Sequence, residues 1–217
     1  MQPTDLANLR RSYLQSTLSE ADLAPDPVSQ FIVWFAEVRD AGIVEPNALV
    51  LGTAGSDARP TARTVLLKDV DERGFTVYTN YSSRKGHDIA ANPWVSMLFP
   101  WHAVERQVIV TGRAERVSRA ESAAYFVSRP YGSRIGALAS PQSSVIGSRT
   151  ELEERYAALA QRYPEGTDVP LPDDWGGVLI VPDAVEFWQG RPNRLHDRLR
   201  YVRDQPVGPW IVQRLAP

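Results

Sequence analysis

Ala48-Leu-Val-Leu-Gly-Thr-Ala-Gly-Ser-Asp-Ala-Arg-Pro-Thr-Ala-Arg-Thr-Val-Leu-Leu-Lys-Asp-Val-Asp-Glu-Arg-Gly-Phe-Thr-Val-Tyr-Thr-Asn80 carries three apolar or β-branched runs, 48–53, 61–68 and 75–80. Between them lie Ala54-Gly-Ser-Asp57 and Asp71-Glu-Arg-Gly74, both good turn sequences. Short turns between strands predict an antiparallel meander. Further along, 94–99 and 106–117 resume the strand pattern, and 178–181, 184–188, 199–203 and 210–213 are short strand candidates. So many strands among short helices predict a single α+β domain over 1–217, antiparallel, with peripheral helices. Closing the sheet into a barrel would dispose of its edges.

The helices carry their own start and stop signals. Leu6, Leu9, Tyr13 and Leu14 recur at helical spacing, so 4–16 reads as a short amphipathic helix and the polar stretch 16–24 as loop. Asp26-Pro27 reads as an N-cap followed by Pro in the first turn; Val28, Phe31, Ile32 and Phe35 mark the buried face and Gly42 the end. Residues 83–91 predict a short helix stopped by Asn92-Pro93. Ser118 with Glu121, and Ser148 with Glu151, fit the Ser-x-x-Glu capping box. The first opens a helix running to Arg129-Pro130, the second a helix over 149–163, and 164–174 is a Pro-containing connector.

Bulk properties exclude several classes. The chain has 217 residues, 43% hydrophobic and 23% charged, with 24 Lys+Arg against 26 Asp+Glu and a net charge of −2. That balance exerts no general pull toward nucleic acid or membrane surfaces. With no Cys and three widely spaced His, no metal site is expected. No apolar run reaches membrane-spanning length, and residues 1–11 are polar without a signal-peptide core, so a cytoplasmic protein is expected.

Five segments and one further residue, Gln107, could carry chemistry. Glu186-Phe-Trp-Gln-Gly-Arg-Pro-Asn-Arg-Leu-His-Asp-Arg198 packs Arg191, Arg194, Arg198, His196 and Trp188 around Gly190 and Pro192, which break regular structure. Guanidinium forks, an imidazole and a flat ring suit an anionic, planar small molecule, though a solvated charged turn would read the same way. In Arg63-Thr-Val-Leu-Leu-Lys68, alternation places Arg63, Val65 and Leu67 on one face and Thr64, Leu66 and Lys68 on the other. Each face mixes a cation with apolar residues, which fits either a bound anion or cations reaching solvent at wet strand ends. Tyr78-Thr-Asn-Tyr-Ser-Ser-Arg-Lys85 passes from strand to helix with hydroxyls and two cations, as a phosphate site or an ordinary N-cap would. Tyr125, Arg129 and Ser133 are four apart, all phosphate donors, but Pro130 interrupts the face they would share. Gln142-Ser143-Ser144 lies in a polar loop, and Gln107 on an apolar strand is a buried-polar candidate for a ligand ring or for backbone.

The ordered combination is more specific than its parts. It runs from Leu9-Arg-Arg-Ser-Tyr13 through Arg63–Lys68, Tyr78–Lys85, Asn92-Pro93, Phe99-Pro-Trp-His102, Glu105-Arg-Gln107 and Ser128-Arg-Pro130. It continues with Gln142-Ser-Ser144, Trp175-Gly-Gly177, Glu186-Phe-Trp-Gln-Gly190, Arg194-Leu-His-Asp-Arg198 and Arg214-Leu-Ala-Pro217. This set resembles the pyridoxamine 5′-phosphate oxidase family over nearly the whole chain. The resemblance implies a split β-barrel that binds FMN at a homodimer interface, with residues 1–24 as an N-terminal helix or lid and 175–217 as C-terminal strands bearing the signature loop. It implies FMN contacts from Arg63, Thr64, Val65, Leu66, Leu67, Lys68, Tyr78, Thr79, Arg84, Lys85, Gln107, Gln142, Ser143, Trp188 and Arg198. Lys68, Tyr125, Arg129 and Ser133 match substrate-phosphate ligands, Arg194 and His196 match catalytic residues over the substrate ring, and Arg10 and Tyr13 match a segment covering the site. The implied reaction oxidises pyridoxine 5′-phosphate and pyridoxamine 5′-phosphate to pyridoxal 5′-phosphate, in vitamin B6 synthesis and salvage. A hydride passes from C4′ to flavin N5, with O2 as acceptor and H2O2 as product. Pro141, and Arg191-Pro192 inside the signature loop, depart from common family patterns without touching a matched ligand. Two rivals are another split-barrel flavoenzyme, such as a reductase, and a non-enzymatic flavin or pyridoxal phosphate binder.

Overall fold

The computed structural model describes residues 12–205 and 208–217. Asp26 caps α1 (Pro27–Asp40), its carboxylate accepting from the Val28 and Ser29 amides at 2.9 Å each. Past the end of α1, Gly42 takes φ +75°, a conformation that favours Gly. Part of the predicted 4–16 helix, residues 4–11, lies outside the described residues. The rest, 12–16, is not helical. Leu14 and Gln15 instead donate their amides to the buried Glu105 carboxylate at 2.9 and 3.0 Å, so tertiary bonds satisfy backbone groups that a helix would have paired.

The meander forms as predicted: β1 (Ala48–Ala54), β2 (Pro60–Asp71) and β3 (Gly74–Asn80). After α2 (Arg84–Ala91) come β4 (Trp94–Trp101) and β5 (Arg106–Arg116). Ser118 and Glu121 close a full capping box on α3 (Arg119–Ser128). A helix not foreseen, α4 (Tyr131–Ala139), starts directly after Pro130, whose ring ends α3 and whose carbonyl opens the next turn. α5 (Arg149–Arg162) has half a box: Ser148 accepts from the Glu151 amide, but Glu151 turns back to the Gly147 amide at 3.0 Å. The strands end with β6 (Trp175–Gln189), β7 (Asp197–Val202) and β8 (Ile211–Arg214). The two short strands expected around Pro182 are one. β6 pairs with β3 over Trp175–Ile180 and with β7 over Ala184–Gln189, and Pro182, lacking an N–H, falls between the two registers.

The strand order is β3-β2-β1-β4-β5-β6-β7-β8, and β3 also pairs with β6. That extra pairing closes six antiparallel strands into a barrel, while β7 and β8 extend the sheet beyond it. Within the described residues the chain forms two compact units. The first takes in 12–50, Met97–Thr111, 182–205 and 208–217, and its core gathers Phe31, Trp34, Phe99, Trp101, Phe187 and Tyr201 in edge-on and tilted ring contacts. The second takes in Leu51–Ser96 and Gly112–Val181, with Phe126, Ile135, Val169 and Trp175 buried together. Among the described residues no helix is long and apolar enough to cross a membrane.

Candidate active site

A cleft of about 270 Å³ opens within the second unit, lined by Arg63, Thr64, Val65, Leu66, Lys68, Tyr78, Thr79, Lys85, Tyr125, Arg129, Gln142 and Trp175. Residues of both parities come from β2, so one face of a strand does not explain the lining. β3 pairs with β2 only from Leu67 to Asp71, which leaves the Arg63–Leu66 stretch with an edge that β3 does not cover. The register shifts between Leu67 and Asp69, a bulge that places Lys68 out of step. Leu67 itself points into the core at 7% exposure.

Among the described residues no carboxylate lines this cleft, but four cations do. Lys85, second residue of α2, is buried and donates to Gln142 Oε1 at 2.8 Å and to the cap hydroxyl of Ser83 at 3.3 Å. Burial, followed by the nearby Arg63 charge, pushes its ammonium below the usual lysine range. Arg63 donates to Leu51 O, Thr53 Oγ1 and Thr61 Oγ1 at 3.0, 2.7 and 2.5 Å, with the Asp88 carboxylate 3.9 Å away. Arg129 Nη1 is buried and has no hydrogen-bond partner among the described residues. Burial lowers that guanidinium's pKa. A buried donor left open is costly unless a ligand accepts from it, and here the acceptor must be anionic to suit the surrounding charge.

The opposite character comes from three rings. Tyr78 and Tyr125 stack at 3.8 Å between centroids, and Trp175 lies nearly parallel to both, at 5.5 and 6.2 Å. The donor set and the rings together suit a planar anion, and FMN, a flat tricycle ending in a phosphate, fits both features. Trp175 is the residue that sequence reasoning did not place in the site. It stood in the Trp-Gly-Gly motif, but an aromatic opening a strand reads as core.

A second cluster lies in the first unit. The Tyr13, Trp188 and His196 rings pack in mutual contact, with centroids 4.6 to 5.7 Å apart. The Gly190 amide donates to Glu105 O at 2.7 Å, and a Cβ there would sit 2.7 Å from the Tyr13 ring. His196 Nδ1 accepts from the Arg191 amide at 3.1 Å, so that nitrogen is unprotonated. Burial, then the Arg194 charge, lowers the His196 pKa, and both effects favour neutral imidazole. Arg194 is exposed, and both it and Asn193 adopt positive φ, 62° and 56°. Such conformations cost about 1 kcal/mol each in L residues and concentrate at functional loops. Arg198 forks onto Glu186 at 2.7 and 3.0 Å, which raises its pKa. Gln107 is half-buried on β5.

The remaining expected residues fall outside both sets. Arg84 is exposed and holds Asp88 Oδ1 at 3.0 Å. Ser133 is exposed in the first turn of α4. Ser143 is exposed beside Gln142 with φ +71°. Arg10 lies outside the described residues. Among the described residues no cluster of three or more His, Asp or Glu could hold a metal ion.

Residues 35–163 match the family model described as pyridoxamine 5′-phosphate oxidase, and residues 175–217 match that of the pyridoxine 5′-phosphate oxidase C-terminal dimerisation region. A pyridoxine/pyridoxamine 5′-phosphate oxidase of Streptomyces avermitilis is 58% identical, covering 98% of this chain and 96% of the relative. One from Burkholderia ambifaria is 56% identical, covering 99% and 100%. Among solved structures, PhzG from Burkholderia lata 383, in complex with tetrahydrophenazine-1-carboxylic acid, superposes with a TM-score of 0.86. It is 30% identical and covers 93% of this chain and 98% of that one. A pyridoxamine 5′-phosphate oxidase-related, FMN-binding protein from Nostoc punctiforme shares the fold at a TM-score of 0.70 and 19% identity, covering 90% and 99%.

Proposed function

The chain belongs to the pyridoxamine 5′-phosphate oxidase family, and from that membership we propose that it oxidises pyridoxine 5′-phosphate and pyridoxamine 5′-phosphate to pyridoxal 5′-phosphate with FMN as cofactor. The observation that carries the reading is a cleft that no carboxylate among the described residues lines, where Lys85 is buried and Arg129 Nη1 has no partner among those residues. Such a site is prepared for phosphate and unsuited to a cationic or neutral ligand.

Arg63, Lys85 and Gln142 hold the FMN end of the cleft, with Arg84 and Ser143 at its margin. The β2 edge at Thr64–Leu66, which lines the cleft, would hold the ring system. Lys68, Tyr125, Arg129 and Ser133 grip the substrate phosphate, and that remote binding energy becomes alignment of C4′. When bound, FMN would supply the two-electron oxidation of C4′, with O2 as the final acceptor and H2O2 as product. Arg194 packs on the substrate ring and orients C4′, neutral His196 hydrogen-bonds beside it, and Tyr13 covers the ring.

The cleft of one subunit is completed by the Gln107, Trp188, Arg194, His196 and Arg198 group of a second copy. In support, the matched dimerisation region carries four of these five residues. Arg194→Ala tests the assignment: most kcat/KM should be lost while FMN stays bound. Wild-type turnover in that variant removes Arg194 from the site.

A further inference from the structure

We propose that Trp175 is a positioning residue for phosphate-ester recognition: its indole face fixes the Arg129 guanidinium while leaving that group's N–H donors free for an oxyanion. The inference deepens the functional reading above and rests on its assignment of Arg129 to the substrate phosphate.

Arg129 Cζ lies 4.7 Å from the Trp175 ring centroid and 5.7 Å from that of Phe126. Trp175 is 6% exposed and belongs to a core cluster with Phe126, Ile135 and Val169, so its plane is held. The chain behind it leaves no slack. A Cβ at Gly176 would meet the Tyr81 hydroxyl at 2.2 Å, and one at Gly177 would meet Val117 at 2.6 Å.

The contrast with Arg63 shows what the indole contributes. Arg63 is held by hydrogen bonds that consume its donors, with a carboxylate close by. A carboxylate beside Arg129 would hold it equally well but would occupy the N–H fork and cancel the charge that attracts phosphate. An aromatic face stabilises a desolvated cation through its quadrupole, takes no N–H donor and carries no net charge. Nη1 of Arg129 is accordingly buried with no hydrogen-bond partner among the described residues. Tyr125 lies in a plane 4° from that of Trp175, so the two proposed phosphate donors neighbour the same stack of rings.

The test uses FMN-loaded enzyme and the variants Trp175→Leu and Trp175→Phe. KM for pyridoxine 5′-phosphate should rise about 10-fold with Leu and about 3-fold with Phe, following the loss and the weakening of the cation–π contact. The change in KM should exceed any change in kcat or in FMN affinity. The dissociation constant of inorganic phosphate, measured calorimetrically on FMN-loaded enzyme, should rise in parallel without any turnover. In an Arg129→Gln background, Trp175→Leu should add no further loss. Unchanged KM and phosphate affinity in both variants would overturn the proposal. So would a joint fall of kcat, FMN affinity and Tm, which marks a merely structural role, or a full Trp175→Leu penalty without Arg129. If Leu prevents folding, Phe alone decides by the same criteria. Failure of the wild type to oxidise the ester would sink the functional reading, while the phosphate titration would still judge Trp175.

Discussion

Lys85 is buried and Arg129 has its Nη1 withdrawn from water, with no carboxylate among the described residues lining their cleft, an arrangement that costs stability until an anion arrives. His196 is the complementary case: burial and Arg194 lower its pKa from 6.5, and the Arg191 amide donates to its Nδ1. Protonation at Nδ1 would break that bond. The sign follows: the neutral, hydrogen-bonded form is complete above pH 6.5 and is lost as pH falls through the lowered value. We predict an acid limb in kcat/KM whose apparent pKa lies below 6.5 and which disappears in His196→Asn. An acid limb above 6.5 in the wild type would contradict the assignment. The cations of the cleft were legible in the sequence because their motifs keep order and type together. Trp175 was not, since periodicity cannot separate a core ring from one that also supports an arginine.

At the scale of elements, α2 places Lys85 through its first turn, with Ser83 as cap and Gly86 pressed against the chain before it. A Cβ at Gly86 would sit 2.1 Å from Tyr81 O and 2.5 Å from its carbonyl carbon, backbone atoms that cannot swing aside. Gly86→Ala should destabilise the protein by about 2–4 kcal/mol and weaken FMN binding at least tenfold by displacing Lys85. Gly136, inside α4, has nothing within 4 Å of its would-be Cβ, so Gly136→Ala should be neutral or stabilising by up to about 1 kcal/mol. Thermal melts and flavin titration of the pair check both; equal behaviour would refute the packing argument. Capped helices and the meander could be read in advance because Asp26, Ser83, Ser118 and the two turns act locally. α4 could not, because Gly132 and Gly136 depress helix propensity and tertiary packing of Ile135 and Ala139 supplies what propensity lacks. Nor could the continuity of β6, which depends on a change of pairing partner around Pro182.

At the scale of the molecule, the two residue sets lie in separate compact units, and the functional reading joins them across a homodimer. Complementation tests this directly. A variant lacking the Arg63 and Lys85 cations and an Arg194→Ala variant should each be inactive at limiting FMN. After mixing and subunit exchange they should recover about a quarter of wild-type activity, because half the dimers are mixed and each mixed dimer has one intact site. A mixture that stays inactive would place both sets in the same subunit. Barrel closure was foreseeable from the need to remove sheet edges, whereas composition and spacing carried no sign of a second copy.

The most direct measurement is aerobic turnover of pyridoxine 5′-phosphate with added FMN, following pyridoxal 5′-phosphate and H2O2 together. Equal appearance of the two products is the predicted result. FMN binding without either product would contradict the oxidase reading and leave a flavin binder or a reductase of another substrate.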